Sequence, residues 1–359
     1  MRRPKISVII PNKDDGYLLS RAVDRLNYDI DPKDVEIIII DDGSSEPVSQ
    51  NMFNRAKNVI IHDIKVQKGV GHAFDYGVKK AKADKVLLMG SDVIMGDSRW
   101  LEYACKNAEE YPTSFTCSVC VGLSEKEDIY DWSGKTRRYG ANILFVVNKE
   151  DLPKKGDHQN NDAFADILQC KWIRKKKDDK SYEIPCVLGA CYVVRKDWYM
   201  HIGGWGWIKS TNRLTLGGEK STDGLTKEET KWLGHRMWGG LEPMIGLKTW
   251  FAGGSCRIDP QWETGHFFGR DDYVAKSRSK RMDMYYFNKL FIAHTLFGQR
   301  EAEILNQHLL TGRNENIART TIDRNWKAIE TEKRYNESIK QEGYYILKDR
   351  VGTNTNCFK

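Results

Sequence analysis

The sequence predicts an α/β protein with a largely parallel central sheet. Four short apolar runs rich in valine and isoleucine occupy positions 6–10, 35–40, 58–64 and 85–90. Amphipathic segments at 18–26 and 71–83, with apolar residues three and four apart, lie between these runs. Continuous apolar runs are typical of strands buried on both faces, as in parallel sheets that helices cover.

The composition is that of a globular protein with a basic surface. The chain has 359 residues, enough for one large α/β domain and an accessory region, and its hydrophobic content of 40% excludes wholesale disorder. The formal net charge is +7 and there are 11 tryptophans. The charge favours solubility or attraction to a polyanion, and tryptophan offers a flat surface on which sugars or bases stack.

The distribution of apolar residues and cysteines indicates a protein of the cytoplasm. We find no secretory signal, since the chain runs within a few residues into the first predicted strand, and no apolar stretch of the length that a membrane span needs. The 8 cysteines are scattered through apolar runs, which is typical of reduced, buried thiols. We therefore expect a cytoplasmic protein without membrane partners, in the host cytoplasm if the source is a virus.

Polar residues follow the predicted strands, and further motifs follow in the second half. Pro11-Asn12, Asp41-Asp42 and Ser91-Asp92 fall at carboxyl ends of strands, where open α/β sheets bind ligands. A glycine-bearing segment, QKGVGHAFD, spans 67–75, and a strand-helix unit, IPCVLGACYVVRKDWYMHIGGW, spans 184–205. WGGLEPMIGLKTWFAGG at 238–254 and GHFFGR at 265–270 come next, and the chain is helical and charged from about 271.

In this order, these segments resemble GT-A glycosyltransferases of the polypeptide N-acetylgalactosaminyltransferase and family 2 type. The resemblance covers about residues 5–290. It implies a GT-A, Rossmann-like nucleotide-diphospho-sugar transferase fold over residues 1–290, with a donor half at 1–125 and an acceptor half at 126–290. A helical C-terminal extension is expected over 291–359.

The resemblance implies a metal-dependent enzyme that uses a UDP-sugar. Asp92 and His266 are the metal ligands that it implies, for Mn²⁺ or Mg²⁺, because carboxylate and imidazole suit these ions beside phosphate oxygens. Gly90 stands where the family's DxD motif has its first aspartate. The alternative for His266 is a structural histidine in an aromatic setting.

The donor-binding residues are expected at the strand ends, in the glycine-bearing segment and in the WGG motif. They are Pro11, Asn12, Asp41, Asp42, Lys68, Gly69, Asp75, Ser91, Trp238, Gly239 and Gly240. Asp41 and Asp42 would accept hydrogen bonds from ribose hydroxyls or the uracil N–H, while the alternative is a turn-forming Asp-Asp-Gly sequence.

Two residues are candidates for the catalytic step. Glu242 would bind donor hydroxyls or take the acceptor proton, and the alternative is a carboxylate that interacts with the helix dipole. Arg270 would neutralise the leaving diphosphate through paired contacts. The polar segment 210–237 is either a lid that excludes water or a surface insertion.

The acceptor is the more open question. The basic, tryptophan-rich composition favours a nucleic-acid acceptor. A resemblance to phage DNA-modifying glycosyltransferases then implies transfer of a hexose or pentose to the 5-hydroxymethyl group of a modified cytosine in double-stranded bacteriophage DNA. Alternatives are a cytosolic transferase acting on a polysaccharide or on protein Ser/Thr hydroxyls, and a non-catalytic module that binds sugar nucleotides or DNA. The charge run at 170–180 is a solvated loop or an acceptor-binding patch. Retention and inversion of the anomeric configuration both remain open.

Overall fold

A mixed sheet flanked by helices organises the structure. The computed structural model describes residues 2–53, 56–65, 67–124, 131–145, 167–189, 191–205, 240–268, 282–308 and 313–358. The strands of this part are β1 Ile6–Asn12, β2 Val35–Asp41, β3 Val59–Asp63, β4 Lys85–Met89, β5 Val93–Met95, β6 Ser114–Leu123, β7 Arg137–Arg138, β8 Ala141–Phe145, β9 Ile167–Trp172, β10 Tyr182–Glu183, β11 Cys191–Arg195 and β12 Ser255–Phe267.

The first half of the sheet is parallel, as the four apolar runs predicted. Strands β4, β1, β2 and β3 are neighbours in that order and run in the same direction. All residues of β1 and β2 are buried, which agrees with helices on both faces of the sheet. The carboxyl ends of these strands consequently form one edge, which carries Asn12, Asp41 and the segment after β4.

The second half adds antiparallel pairs. Strand β11 lies between β4 and β6 and is antiparallel to both, so Cys191 at its start pairs with Met89 at the end of β4. The long strand β12 is parallel to β6 and antiparallel to β5 and β10. Strands β8 and β9 form a separate two-stranded sheet. These pairings bring the beginning of β11 and the end of β12 to the edge where β4 ends.

The helices bury apolar stripes on the two faces of the sheet. They are α1 Gly16–Leu26, α2 Val70–Lys80, α3 Trp100–Glu110, α4 Lys196–His201, α5 Leu241–Phe251, α6 Met282–Leu296, α7 Gln299–His308, α8 Arg313–Arg324, α9 Trp326–Ile339 and α10 Tyr345–Val351. Helices α1 and α3 pack into one core cluster, and α2, α4 and α5 pack into another. In α2, Gly77 allows close contact with β1, because a Cβ there would lie 2.2 Å from Cγ2 of Ile9.

The C-terminal helices share the core of the sheet, and the predicted helical C-terminal region is confirmed. Phe291, Ile329 and Leu347 belong to the same buried cluster as Val86 of β4. Helix α6 runs across the predicted boundary at residue 290, and the division into two units stays a prediction. Within the described residues, no helix has the length and apolarity required to cross a membrane.

Candidate active site

The carboxyl edge of the parallel strands collects several of the predicted donor-binding residues. Pro11 and Asn12 end β1 in register with Ile40 and Asp41 of β2. Ser91 follows β4, and its hydroxyl donates a hydrogen bond to Oδ2 of Asp15 at 3.1 Å. The structure therefore brings the ends of β1, β2 and β4 together, as expected for a ligand-binding edge.

Asp41 organises the loop that follows β2. The residue is 1% exposed, its Oδ1 accepts hydrogen bonds from the amide and hydroxyl of Ser44, and its Oδ2 accepts one from the amide of Val48 at 2.8 Å. Gly43, with φ of 72°, allows the chain to turn there. This is the turn-forming arrangement considered above, and contact of Asp41 with a donor stays a prediction.

Asp42 connects the same edge to the start of α2. Its Oδ1 accepts from the amide of Lys68 at 2.6 Å and its Oδ2 from the amide of Gly69 at 2.8 Å. Burial raises the pKa of Asp42 to about 6, although these amides and the charge of Lys13 act in the opposite direction. Burial likewise lowers the pKa of Lys68. Asp42 thus positions the glycine-bearing segment, and its donor contact also stays a prediction.

Asp75 lies in the core rather than on the rim of a pocket. It is 1% exposed, and its Oδ1 accepts hydrogen bonds from the hydroxyl of Tyr199 at 2.6 Å and from the amide of Trp205 at 3.1 Å. A Cβ at Gly204 would lie 2.1 Å from this oxygen, so the turn is packed closely against it. Asp75 therefore joins α2 to α4, and its predicted donor contact has no support from this position.

Asp92 and His266 meet at the edge of the sheet. Asp92 directly precedes β5, His266 pairs with Val93, and the amide of Phe267 donates to the carbonyl of Asp92 at 3.1 Å. The side-chain atoms Nε2 of His266 and Oδ2 of Asp92 lie 3.6 Å apart, and the side chains are 16% and 34% exposed. The strand pairing thus holds an imidazole and a carboxylate side by side where a ligand can reach them.

This pair fits a divalent ion. Bonds from a small divalent ion to carboxylate oxygen and imidazole nitrogen are about 2.1 Å long, so one ion can contact atoms 3.6 Å apart. The described residues contain no group of three or more His, Cys, Asp and Glu side chains arranged for a metal. Among the described residues, Asp92 and His266 would therefore hold the ion, with donor phosphate oxygens and water as further ligands.

Glu242 lies at the start of α5, close to this edge. Gly240 precedes the helix with φ of 74°, and the hydroxyl of Tyr192 lies 3.5 Å from Oε1 of Glu242. Tyr192 follows Cys191, the residue of β11 that pairs with the end of β4. Burial raises the pKa of Glu242, while the contact with Tyr192 acts in the opposite direction. A carboxylate with a raised pKa is suited to accepting a proton.

Some of the predicted residues lie outside the described part of the chain, and sequence reasoning missed other residues of the site. Trp238, Gly239, Arg270 and the segment 210–237 are outside. Sequence reasoning did not single out Arg138, Trp172 and Phe268, which we call the aromatic-arginine cluster. Phe268 packs on the imidazole of His266, and Arg138 and Trp172 pack on Phe268. The Arg137-Arg138 pair in the sequence was the available signal, but only the strand pairing shows which arginine faces the site.

Comparison with solved structures shows the fold. A GalNAc-T7 structure with UDP, GalNAc and Mn²⁺ is similar with a TM-score of 0.62 and 13% identity, covering 97% of this chain and 56% of that one. The chain therefore spans little more than half of that relative. S. aureus TarS 1-349 (12% identity, 95% and 93% covered) has a TM-score of 0.43. The mannosyltransferase PcManGT from Pyrobaculum calidifontis, with GDP-Man and Mn²⁺ (12% identity, 94% and 86% covered), has a TM-score of 0.44.

Sequence comparison places the chain in a family. No curated protein matches it. The family model described as glycosyl transferase family 2 matches residues 7–202, which contain the parallel half of the sheet, the edge that carries Asp41 and Asp92, and the strand-helix unit of β11 and α4. With the GT-A arrangement of strands and helices, this match over more than half of the sequence shows that the chain belongs to glycosyl transferase family 2.

Proposed function

We propose that this glycosyltransferase uses a UDP-sugar and a divalent ion, Mn²⁺ or Mg²⁺, to glycosylate a hydroxyl group. The observation that carries the proposal is the 3.6 Å approach of His266 Nε2 to Asp92 Oδ2 at the carboxyl edge of the sheet. The solved structure of GalNAc-T7 with UDP, GalNAc and Mn²⁺ agrees with an ion beside a nucleotide.

The residues of the edge have separate tasks in this proposal. Asp92 and His266 hold the ion, which supplies positive charge to the donor diphosphate when it is bound. Asp42 fixes the amides of Lys68 and Gly69, and so sets the backbone at the start of α2 where a phosphate is favourably bound. Glu242 accepts the proton of the acceptor hydroxyl, and the contact of Tyr192 with Oε1 orients the carboxylate.

For the acceptor, we propose the 5-hydroxymethyl group of a modified cytosine in double-stranded phage DNA. The support is electrostatic: the chain has a formal net charge of +7, and the loop after Trp172 exposes Arg174, Lys175 and Lys177. Trp172 belongs to the aromatic-arginine cluster, so this basic loop begins beside the proposed metal pair. Exposed lysine and arginine side chains bind the phosphates of a duplex through release of counterions.

The test is mass analysis of nucleosides after treatment of 5-hydroxymethylcytosine-containing DNA with protein, Mn²⁺ and a panel of UDP-sugars. We expect a hexose or pentose mass increment that is lost in Asp92→Ala and His266→Ala. The matched control is Asp97→Ala, which removes an exposed carboxylate paired with Arg99 and should keep full activity.

Other outcomes of the same assay would select the alternatives. UDP release with a polysaccharide or a Ser/Thr peptide, but no increment on DNA, would exclude the DNA acceptor and retain the donor site. UDP-sugar binding without transfer to any of these acceptors would indicate a non-catalytic module.

A further inference from the structure

The aromatic-arginine cluster places a positive charge beside the proposed metal pair. The guanidinium carbon of Arg138 lies 4.4 Å from the ring centre of Phe268 and 5.4 Å from that of Trp172. Phe268 in turn packs on the imidazole of His266, with ring centres 4.0 Å apart. A chain of direct contacts therefore leads from Arg138 to a proposed metal ligand.

Strand pairing explains why Arg138 reaches this position. Arg138 of β7 pairs with Cys120 of β6, and Gly122 of β6 pairs with His266 of β12. Cross-strand partners project from the same face, and residues two apart on a strand share that face. Arg138, Gly122 and His266 thus lie on one face of the sheet.

Gly122 provides the space that the guanidinium occupies. A Cβ at position 122 would lie 2.6 Å from Nη1 of Arg138, so a side chain there would displace the guanidinium. Because Gly122 is the register partner of His266, the guanidinium lies over the backbone next to the imidazole. The neighbouring Arg137 projects to the other face, where its Nε donates to Oε1 of Glu263 at 2.6 Å.

The charge of Arg138 has no anionic partner in the described part of the chain. No carboxylate among these residues lies within ion-pair distance of it, and its buried Nε and Nη1 atoms have no hydrogen-bond acceptor there. Burial lowers the pKa of Arg138 and the charge of Arg174 lowers it further, while Cys120 acts in the opposite direction. An anion beside the guanidinium of Arg138 would supply the counter-charge that the described residues do not provide.

We propose that the guanidinium of Arg138 binds a phosphate of the nucleoside diphosphate that leaves the donor, beside the ion held by Asp92 and His266. This inference rests on the proposed function. In that reaction the bond between the anomeric carbon and the diphosphate oxygen breaks, and the electron pair stays with the diphosphate. The acceptor oxygen bonds to the anomeric carbon, and its proton passes to Glu242. Arg138 thus offsets the negative charge that develops on the diphosphate.

The test is the affinity for UDP and for UMP in the presence of Mn²⁺, measured by calorimetry without any turnover. We expect Arg138→Gln to weaken UDP binding about tenfold or more and UMP binding much less, since charge-assisted hydrogen bonds to phosphate are lost. The UDP affinity of Arg138→Lys should lie between those of the parent protein and Arg138→Gln, because lysine keeps the charge without the planar stacking surface. The control Arg137→Gln removes the adjacent guanidinium on the opposite face and should leave UDP affinity unchanged.

A second variant tests the position of the Arg138 guanidinium without removing the arginine. Gly122→Ala introduces the Cβ that would meet Nη1, so it should weaken UDP binding in the same direction as Arg138→Gln while thermal unfolding remains cooperative. Unchanged UDP affinity in Arg138→Gln, with normal binding by the parent protein, would overturn this inference alone. Loss of DNA affinity in place of UDP affinity would also overturn it and assign Arg138 to the acceptor. No UDP binding by the parent protein would instead refute the proposed function.

Discussion

A buried ion pair joins the helix that carries Glu242 to the C-terminal helices. Lys248 of α5 is fully buried, and its Nζ donates to Oε1 of Glu332 of α9 at 2.9 Å and to the carbonyl of Gly204 at 2.8 Å. Lys248→Met would keep the volume of the side chain while it removes the charge and both hydrogen bonds. Glu332, only 2% exposed, would then be left without its counter-charge.

Lys248→Met should lower the free energy of unfolding strongly, because it removes only one of the two charges of the pair. Removing one partner of a buried pair typically costs about 3–5 kcal/mol, since an uncompensated charge stays in the core. Oε2 of Glu332 has no hydrogen-bond partner in the described part, so little else there would stabilise the remaining carboxylate. The double variant Lys248→Met with Glu332→Leu removes both charges, and we expect it to recover most of the loss.

Urea unfolding of the parent protein, Lys248→Met, Glu332→Leu and the double variant would measure these differences as a double-mutant cycle. The matched control is Lys333→Met on α9, the helix of Glu332. The ammonium of Lys333 lies 3.9 Å from the exposed carboxylate of Glu337, and this pair should contribute less than about 1 kcal/mol. A loss for Lys248→Met no larger than that of Lys333→Met would refute the reasoning. It would mean that the C-terminal helices do not hold α5 through this pair.

Three further predictions concern the edge of the sheet and its helices. The pKa of Asp42 is raised from 3.8, its ordinary value, to about 6 in the folded protein. Between these two pH values the folded protein keeps a proton on Asp42 that the unfolded chain releases. Relative to Asp42→Asn, the free energy of unfolding of the parent protein should therefore fall by about 2 kcal/mol as the pH rises from 4 to 6.5, and a pH-independent difference would contradict this. Gly77→Ala should destabilise the protein by about 1–3 kcal/mol in urea, because its Cβ overlaps Ile9, whereas an unchanged midpoint would show that α2 can move away. Glu242→Gln should lower the transfer rate about 10²- to 10⁴-fold with unchanged UDP affinity, and in the parent protein the rate should rise with pH through the raised pKa of Glu242; a full rate in the variant would exclude Glu242 as the base.

The parallel half of the fold was accessible from the sequence because its signals are local. Strands such as Ile6–Asn12 and Val35–Asp41 are continuous apolar runs, and a run that is buried on both faces needs no knowledge of its partners to be recognised. The pairing of β12 with β5 and β6 could not be predicted in this way. It joins residues more than a hundred positions apart, and no local pattern encodes that register.

Site residues that belong to a recognisable motif could be predicted from the sequence. Residues whose position depends on packing against distant parts of the chain could not. Asp92 and His266 were named from the resemblance, and the strand pairing places them together. Asp75 was expected at the pocket because it belongs to the glycine-bearing segment, yet the hydroxyl of Tyr199 holds it in the core. Arg138 was missed because its position depends on the absence of a side chain at Gly122, which lies on another strand.

Asp92 and His266 are proposed to hold one divalent ion beside the donor diphosphate. The most direct measurement is pulsed electron paramagnetic resonance of the protein with Mn²⁺ and UDP, which detects nitrogen bonded to the ion. We expect imidazole nitrogen modulation in the parent protein and its loss in His266→Gln, together with weaker Mn²⁺ binding in Asp92→Asn. Mn²⁺ and UDP bound tightly with no imidazole nitrogen signal, or with the same signal in His266→Gln, would contradict the claim.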